Sequence, residues 1–266
     1  MLEVAIVAAR LAGQRAMEEI KYVKYSIKNN EEIVTPTDSL CQRIIIERIK
    51  ETYPDHGFIA EEGPDGKLFI QQPRSADSIW WVIDPIDGSN NFAHRMPYFA
   101  VSIAAMHEGS PVVGVIFEPA SESMFAASKT SEAQLNSSKI TASDEGISRF
   151  ASFAVNSDFT HEHAEPVNEL MSRTRARNLG TTALHLAYVA NGSLIGTLTS
   201  TTKLWDFAAG ALIAQTAGAI VTDLKGNNVF PVDLENYTGQ IYRLLAANKK
   251  THAELLKIFS SLDPDK

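Results

Sequence analysis

Apolar side chains recur through residues 2–24 at mixed spacings of three and four (Ile6, Ala9, Ala12, Ala16, Ile20, Val23), the pattern of a helix with one buried face. The polar stretch SIKNNEEIV interrupts it. A second helix is expected to start at Thr35-Pro36-Thr37-Asp38, where Thr35 caps, Pro36 fits the first helical position and Asp38 completes a capping box. Leu40, Ile44, Ile45 and Ile49 supply its buried stripe. Strand patterns follow at Phe58–Ala60, Trp80–Ile83, Ala100–Met106 and Val112–Phe117, the last two joined by the hairpin-like His107-Glu108-Gly109-Ser110. Further along, strands are expected near 150–155, 194–198, 219–223 and 244–247. Helices are expected near 183–190, 207–216 and 251–259, with Lys225-Gly226 as a turn.

Strands and helices that interleave irregularly predict an α/β fold of layered α/β/α/β architecture. No internal repeat or low-complexity segment is visible, and no clear linker divides the halves. Residues 128–150 are the most loop-like, so the expected division is an N-terminal subdomain over 1–150 and a C-terminal one over 151–266.

Composition narrows the function classes. The chain of 266 residues is 44% hydrophobic and 21% charged, ordinary for a soluble globular protein. Its lone cysteine, Cys41, permits no intramolecular disulfide and no cysteine-held zinc, and its place on an apolar helix face reads as core. The first twenty residues lack a basic leader and a clear cleavage site, and no apolar run approaches a bilayer-spanning length. The expected location is therefore the cytoplasm, with no membrane partner. The formal net charge of −8 disfavours direct nucleic-acid binding. It does not favour an anionic substrate either, so chemistry on a phosphate would need imported cations.

Three acidic clusters stand beside apolar strands or at a helix start: Glu61-Glu62 after FIA, Asp84-Pro85-Ile86-Asp87-Gly88-Ser89 after WVI, and Asp206 after LW. Each has a plain structural explanation, as a solvated acidic pair, a turn and a helix cap respectively. Together they suit another purpose. Mg²⁺ prefers hard oxygen ligands, and phosphate-ester hydrolysis profits from two ions held by shared carboxylates. Asp84 and Asp87 straddle a Pro-Ile turn, so both carboxylates and the Ile86 carbonyl can face one point. Gly88 permits close backbone approach, and the Gly88 and Ser89 amides can open a helical turn that receives phosphate.

WVIDPIDGSNNFAH resembles the central signature of the inositol monophosphatase family, and LWDFAAGALIAQTAGAIVTDLKG resembles its second. VTPTD and FIAEEG match two further motifs in the expected order, so the resemblance covers nearly the whole chain. It implies a sandwich of the sugar-phosphatase type and a Mg²⁺-dependent phosphomonoesterase with two or three ions per site. It also implies inhibition by Li⁺ and Ca²⁺, and a homodimer acting on a small phosphorylated metabolite.

Carried over position by position, Glu61, Asp84, the Ile86 carbonyl, Asp87 and Asp206 become the metal shell, with Asp84 bridging two ions. Glu62 supports catalysis from behind the ligands. Ser89 stands where the family has a threonine and, with Asp38, orients the attacking water. The Gly88 and Ser89 amides hold phosphate. Gly180 and Thr181, with Asp206, belong to the substrate side.

Two departures bear on specificity. Thr199 occupies a position where the family often has an acidic residue for inositol hydroxyls, and Lys129–Ser138 replaces a glycine-rich turn. His161 and His163 read as solvated surface. His94 reads as a structural hydrogen bond, and Ser89 lacks the context of a serine-hydrolase nucleophile. Histidinol-phosphate, fructose-1,6-bisphosphate and NADP phosphatases remain open as sister activities. So does an added regulatory role, since some bacterial members of the family also partner the transcription antitermination machinery. No metal ligand is lost here, which favours an enzyme.

Overall fold

The structure, a computed structural model, describes residues 1–28, 32–64, 67–74, 77–157 and 164–259. Helix α1 runs over Leu2–Glu19 and ends in a short 3₁₀ turn at Ile20–Tyr22. Strands β1 (Ser26–Lys28) and β2 (Glu32–Val34) form a small antiparallel ribbon; the middle of the polar breaker lies outside the described residues. Helix α2 (Pro36–Lys50) starts as its sequence predicts. The Thr37 amide donates to the Thr35 hydroxyl at 3.2 Å, and the Thr35 amide donates to Asp38 Oδ2 at 3.0 Å.

Strands β3 (Gly57–Ala60), β4 (Phe69–Gln71), β5 (Trp80–Asp87), β6 (Ala100–His107), β7 (Ser110–Glu118), β8 (Ser123–Ser128), β9 (Gln134–Leu135) and β10 (Ser138–Lys139) build one sheet in the order 10-9-8-7-6-5-3-4. A one-turn helix α3 (Ser89–Ala93) follows β5. The β6–β7 hairpin turns on Glu108 and Gly109, both at positive φ (49° and 72°), the geometry that matches strand twist. Asn136 and Ser137 turn β9 into β10 in the same way, so the segment expected to be a loop contains a tight hairpin.

A second sheet takes β11 (Ser152–Val155), β12 (Arg175–Arg177), β13 (Gly196–Thr202), β14 (Ile220–Thr222) and β15 (Tyr242–Ala247) in the order 12-11-13-15-14. The helices of this half are α4 (Ala164–Arg173), α5 (Thr182–Ala190), α6 (Leu204–Thr216) and α7 (His252–Phe259).

Side-chain alternation along the strands assigns the layers. In β5, Trp81 and Ile83 face α1 and α2, packing with Ala12, Cys41 and Ile45. Trp80 and Val82 face the other way, onto Leu186 of α5 and Phe207 of α6. Those two helices fill the space between the sheets. The far face of the second sheet, with Phe153 and Leu198, is covered by Val167 and Leu170 of α4 and by Leu255 and Phe259 of α7. The order is thus α/β/α/β as expected, with an outer fifth layer of α4 and α7. Each buried phenylalanine or leucine in these interfaces contributes roughly 1.5–3 kcal/mol. Close packing is explicit at Gly210, where a Cβ would stand 2.6 Å from Leu186 Cβ.

Candidate active site

Strand geometry first argues against the proposed aspartate pair. Residues three apart on a regular strand point to opposite faces. Here Asp84 pairs with Ser102 and Asp87 with Ala100, so three steps on β5 oppose two on β6. That is a β-bulge, and its extra residue restores Asp87 to the face of Asp84. Pro85 sits inside the bulge, where a missing amide is tolerated. The expected Pro-Ile turn is therefore an irregularity within a strand.

The shared face is the one covered by α6. Glu61 follows β3, its amide bonded to the Ile83 carbonyl at 3.3 Å, and continues the alternation that puts Ile59 on this side. Asp206 lies in the first turn of α6, at the third helical position and not as the cap itself. Its Oδ2 accepts the Lys203 amide at 2.8 Å and the Thr202 hydroxyl at 3.2 Å. Ser102 donates to the Trp205 carbonyl at 3.0 Å and ties the helix start to the strand. Glu61, Asp84, Ile86, Asp87, Gly88, Ser89 and Asp206 all line one cavity of about 300 Å³.

Asp38 reaches this cavity through Ser89. The Ser89 hydroxyl lies 3.0 Å from Asp38 Oδ1 and 2.9 Å from the Ile86 carbonyl. Asp38 Oδ2 is held by the Thr35 amide and hydroxyl. Glu62 does not line the cavity. Its main chain is clamped by Gln42, which accepts from the Glu62 amide at 2.9 Å and donates to the Glu62 carbonyl at 2.5 Å. Gln42 carries no motif signal and was not anticipated from the sequence.

A contiguous cavity of about 600 Å³ shares Asp87, Asn90 and Gly180 with the first and adds Asn91, Tyr98, Asn156, Asn178, Thr181 and His185. Gly88 and Gly180 back onto each other where the two meet. Gly88 takes φ 101°, and a Cβ there would stand 3.1 Å from the Tyr98 carbonyl and 3.3 Å from that of Gly180. Asn91 Nδ2 joins the same two segments, 2.7 Å from each of the Tyr98 and Leu179 carbonyls.

Thr181, expected to touch substrate, caps α5 and donates its hydroxyl to Asp87 Oδ2. Thr199 is corrected outright. It is 1% exposed, its hydroxyl has no partner, and it lines neither cavity, whereas Thr201 does. His94 bonds the Asn90 carbonyl at 2.8 Å, as expected, and Cys41 is buried against the Ala12 carbonyl. His161 and His163 lie outside the described residues.

Electrostatics mark the cluster. Burial raises Asp84 well above the ordinary carboxyl value, and the charges of Glu61, Asp87 and Asp206 add to the rise. Asp87 is pushed up to about 7 by burial and then by Asp206, against the pull of Thr181 and Ala183. Asp206 is pushed up to about 6 by burial, against bonds from Lys203, Thr202 and Asp84. Burial also raises Asp38. His185 accepts the Leu179 amide at Nε2, and burial lowers it to about 4, so its imidazole is neutral and its Nδ1 proton has no partner.

Among the described residues no three acidic, histidine or cysteine side chains already gather as a finished ligand set. The donor chemistry nevertheless suits a hard divalent cation. Every donor is oxygen, Asp84 and Asp87 are buried, Glu61 and Asp206 are half-buried, and their charges repel one another. Asp84 accepts the Ile86 amide at Oδ1, whereas Asp87 and Asp206 accept from their neighbours at Oδ2.

Comparisons with known proteins place the sequence and the fold. Residues 1–263 match the profile described as the inositol monophosphatase family. A Vibrio cholerae protein named Nus factor SuhB is 35% identical over 237 residues, covering 85% of this chain and 86% of that one. The structure of the extragenic suppressor protein SuhB from Bartonella henselae superposes with a TM-score of 0.86 at 28% identity, covering 96% of each chain. An IMPase from Thermotoga maritima gives 0.84 at 29% identity, covering 99% of this chain and 98% of that one.

Proposed function

Because this chain belongs to the inositol monophosphatase family, we propose that it is a Mg²⁺-dependent phosphatase of small phosphomonoesters. One observation carries the reading. Carboxylates from three separate segments share one cavity wall, beside a hydroxyl that is paired with a buried carboxylate. Glu61, Asp84, the Ile86 carbonyl, Asp87 and Asp206 would hold the metal, which supplies an activated water and charge neutralisation.

The chain's own part is orientation and proton handling. The Ser89 hydroxyl has one hydrogen and two acceptors in reach, Asp38 Oδ1 and the Ile86 carbonyl. A carbonyl committed to a cation leaves that hydrogen to Asp38. The Ser89 oxygen lone pair then receives the proton of the attacking water. Asp38 is fixed for this by Thr35 and by the start of α2. Thr181 and the Ala183 amide fix Asp87.

The leaving group would enter the larger cavity. Its described lining holds no lysine or arginine to match a second phosphate, and Asp87 is its single carboxylate, already assigned to metal. Asparagine, serine and threonine side chains with a neutral His185 suit a polyhydroxylated, uncharged alcohol. We therefore favour polyol monophosphates, inositol monophosphate included, over histidinol phosphate, fructose 1,6-bisphosphate or NADP. Homodimer formation, lithium sensitivity and a cytoplasmic location belong to the same reading.

The test is phosphate release from inositol 1-phosphate, glycerol 2-phosphate, a hexose phosphate, fructose 1,6-bisphosphate, histidinol phosphate and NADP, with Mg²⁺ and with chelator. Turnover of the polyol esters that vanishes with chelator is expected. Undiminished turnover in chelator overturns the mechanism. A preference of more than roughly a hundredfold for histidinol phosphate or NADP overturns the substrate reading.

The relatives named Nus factor favour a second, compatible role, the regulatory partnership that some bacterial members of the family have. Transcription readouts with a catalytically silent Asp87→Asn protein separate the two.

A further inference from the structure

Another wall of the smaller cavity is made by the end of β13. Thr199 pairs with Leu244 and Thr202 with Tyr242, so three steps oppose two and this strand is bulged as well. Thr201, within the bulge, and Lys203, just after it, reach the cavity that Glu61, Asp84, Asp87 and Asp206 line. Lys203 is the sole basic residue among the described lining. Its Nζ stands 5.4 Å from the centroid of the buried Trp205 ring, a cation–π seat that holds the stem beside the carboxylates. Its backbone is pinned at the same place, because the Lys203 amide donates to Asp206.

Charge counting gives this residue a task. Four carboxylates line the cavity, and a phosphomonoester brings about two more negative charges near neutral pH. Two divalent cations, the lower of the two counts the family resemblance implies, would balance the carboxylates and leave the dianion uncompensated. Lysine supplies a compact charge with three donors on a flexible stem, suited to an oxygen that moves as phosphorus inverts.

We propose that Lys203 is a phosphoryl-binding residue of this site, its ammonium neutralising a non-bridging oxygen of the substrate from the β13 wall. The proposal rests on the phosphatase reading above for its substrate, and the test separates the two.

Lys203→Met keeps the stem on Trp205 and removes the charge; Lys203→Arg restores the charge. Titration calorimetry measures the Kd of inorganic phosphate with Mg²⁺ present, and of Mg²⁺ without phosphate. Steady-state assays add KM and kcat. For Lys203→Met, phosphate binding is expected to weaken roughly 10- to 100-fold, the range carried by a hydrogen bond to a charged group. KM should rise in step, while Mg²⁺ binding without phosphate is unchanged or tighter. Lys203→Arg should recover most of the loss.

A phosphate Kd within twofold of wild type in a folded Lys203→Met or Lys203→Gln protein overturns the proposal. So does a Mg²⁺ affinity that falls as far as the phosphate affinity. A wild-type protein that binds phosphate through Lys203 yet hydrolyses no ester would sink the catalytic reading and leave this one standing.

Discussion

Substituting Asp87 by asparagine separates charge from shape. Asp87 is buried, and Oδ2 takes both the Thr181 hydroxyl and the Ala183 amide, the latter at 2.5 Å. An asparagine whose Oδ1 replaces Oδ2 keeps both bonds. What it loses is a negative charge facing Asp84 and Asp206. A carboxyl raised from 3.8 to about 7 is stabilised in its protonated form. Its contribution to folding is fully present below the unfolded value and is lost as pH rises through the folded one. The interval corresponds to about 4 kcal/mol at 1.36 kcal/mol per pKa unit. Asp206 and Asp84 share the repulsion, so the figure belongs to the cluster. At roughly 2–4 °C per kcal/mol for a chain of this size, metal-free Asp87→Asn should melt about 10 °C above wild type near pH 8. It should melt close to wild type near pH 4. Mg²⁺ should narrow or reverse the difference, because wild type gains the larger binding free energy. The turnover of Asp87→Asn should fall at least ~10²-fold. Thermal scans in chelator and in Mg²⁺ across that pH range are the assay. A metal-free Asp87→Asn that melts no higher than wild type near pH 8 refutes the argument that burial and the Asp206 charge penalise ionised Asp87.

Two further substitutions test the surroundings. Ser89→Ala removes the proposed proton relay without touching a carboxylate, so kcat should fall ~10²- to 10⁴-fold while Mg²⁺ affinity by calorimetry stays near wild type; Ser89→Thr should keep activity. Gln42→Ala frees both ends of the Glu62 peptide beside Glu61, which should cost roughly 1–3 kcal/mol in denaturant unfolding and weaken Mg²⁺ binding; unchanged values for both would make the clamp incidental.

Much of this fold is legible wherever the hydrophobic period is strong. The α2 capping box, the central strands and the Ala/Gly-rich α6 stand close to their expected positions. The misses share a physical cause. Strand β8 is polar at both ends and the β9–β10 hairpin has two residues a side, so their pairing is decided by neighbours in the sheet. The site was legible as residue types in a sequence motif, and not as geometry. Asp-Pro-Ile-Asp reads as turn chemistry, with Pro85 the one local sign of a bulge, yet without the bulge Asp87 would point away from α6. Thr199 was misplaced for the same reason. Counting back from Asp206 assumes a regular strand, and β13 gains a residue before Thr202. Gln42 and Asn91 bond the Glu62 and Leu179 carbonyls, distant partners that no local pattern encodes.

Asp38 divides its two oxygens between different duties. One holds the first turn of α2 through Thr35, and the other aims the Ser89 hydroxyl. Fraying of that turn therefore releases Ser89 in the same event. On the proposed mechanism, the fraction of molecules competent to react cannot exceed the fraction in which the helix start is closed, whatever the metal occupancy. Amide exchange at Thr35 and Thr37 would then report catalytic readiness directly, from backbone positions that never meet the substrate.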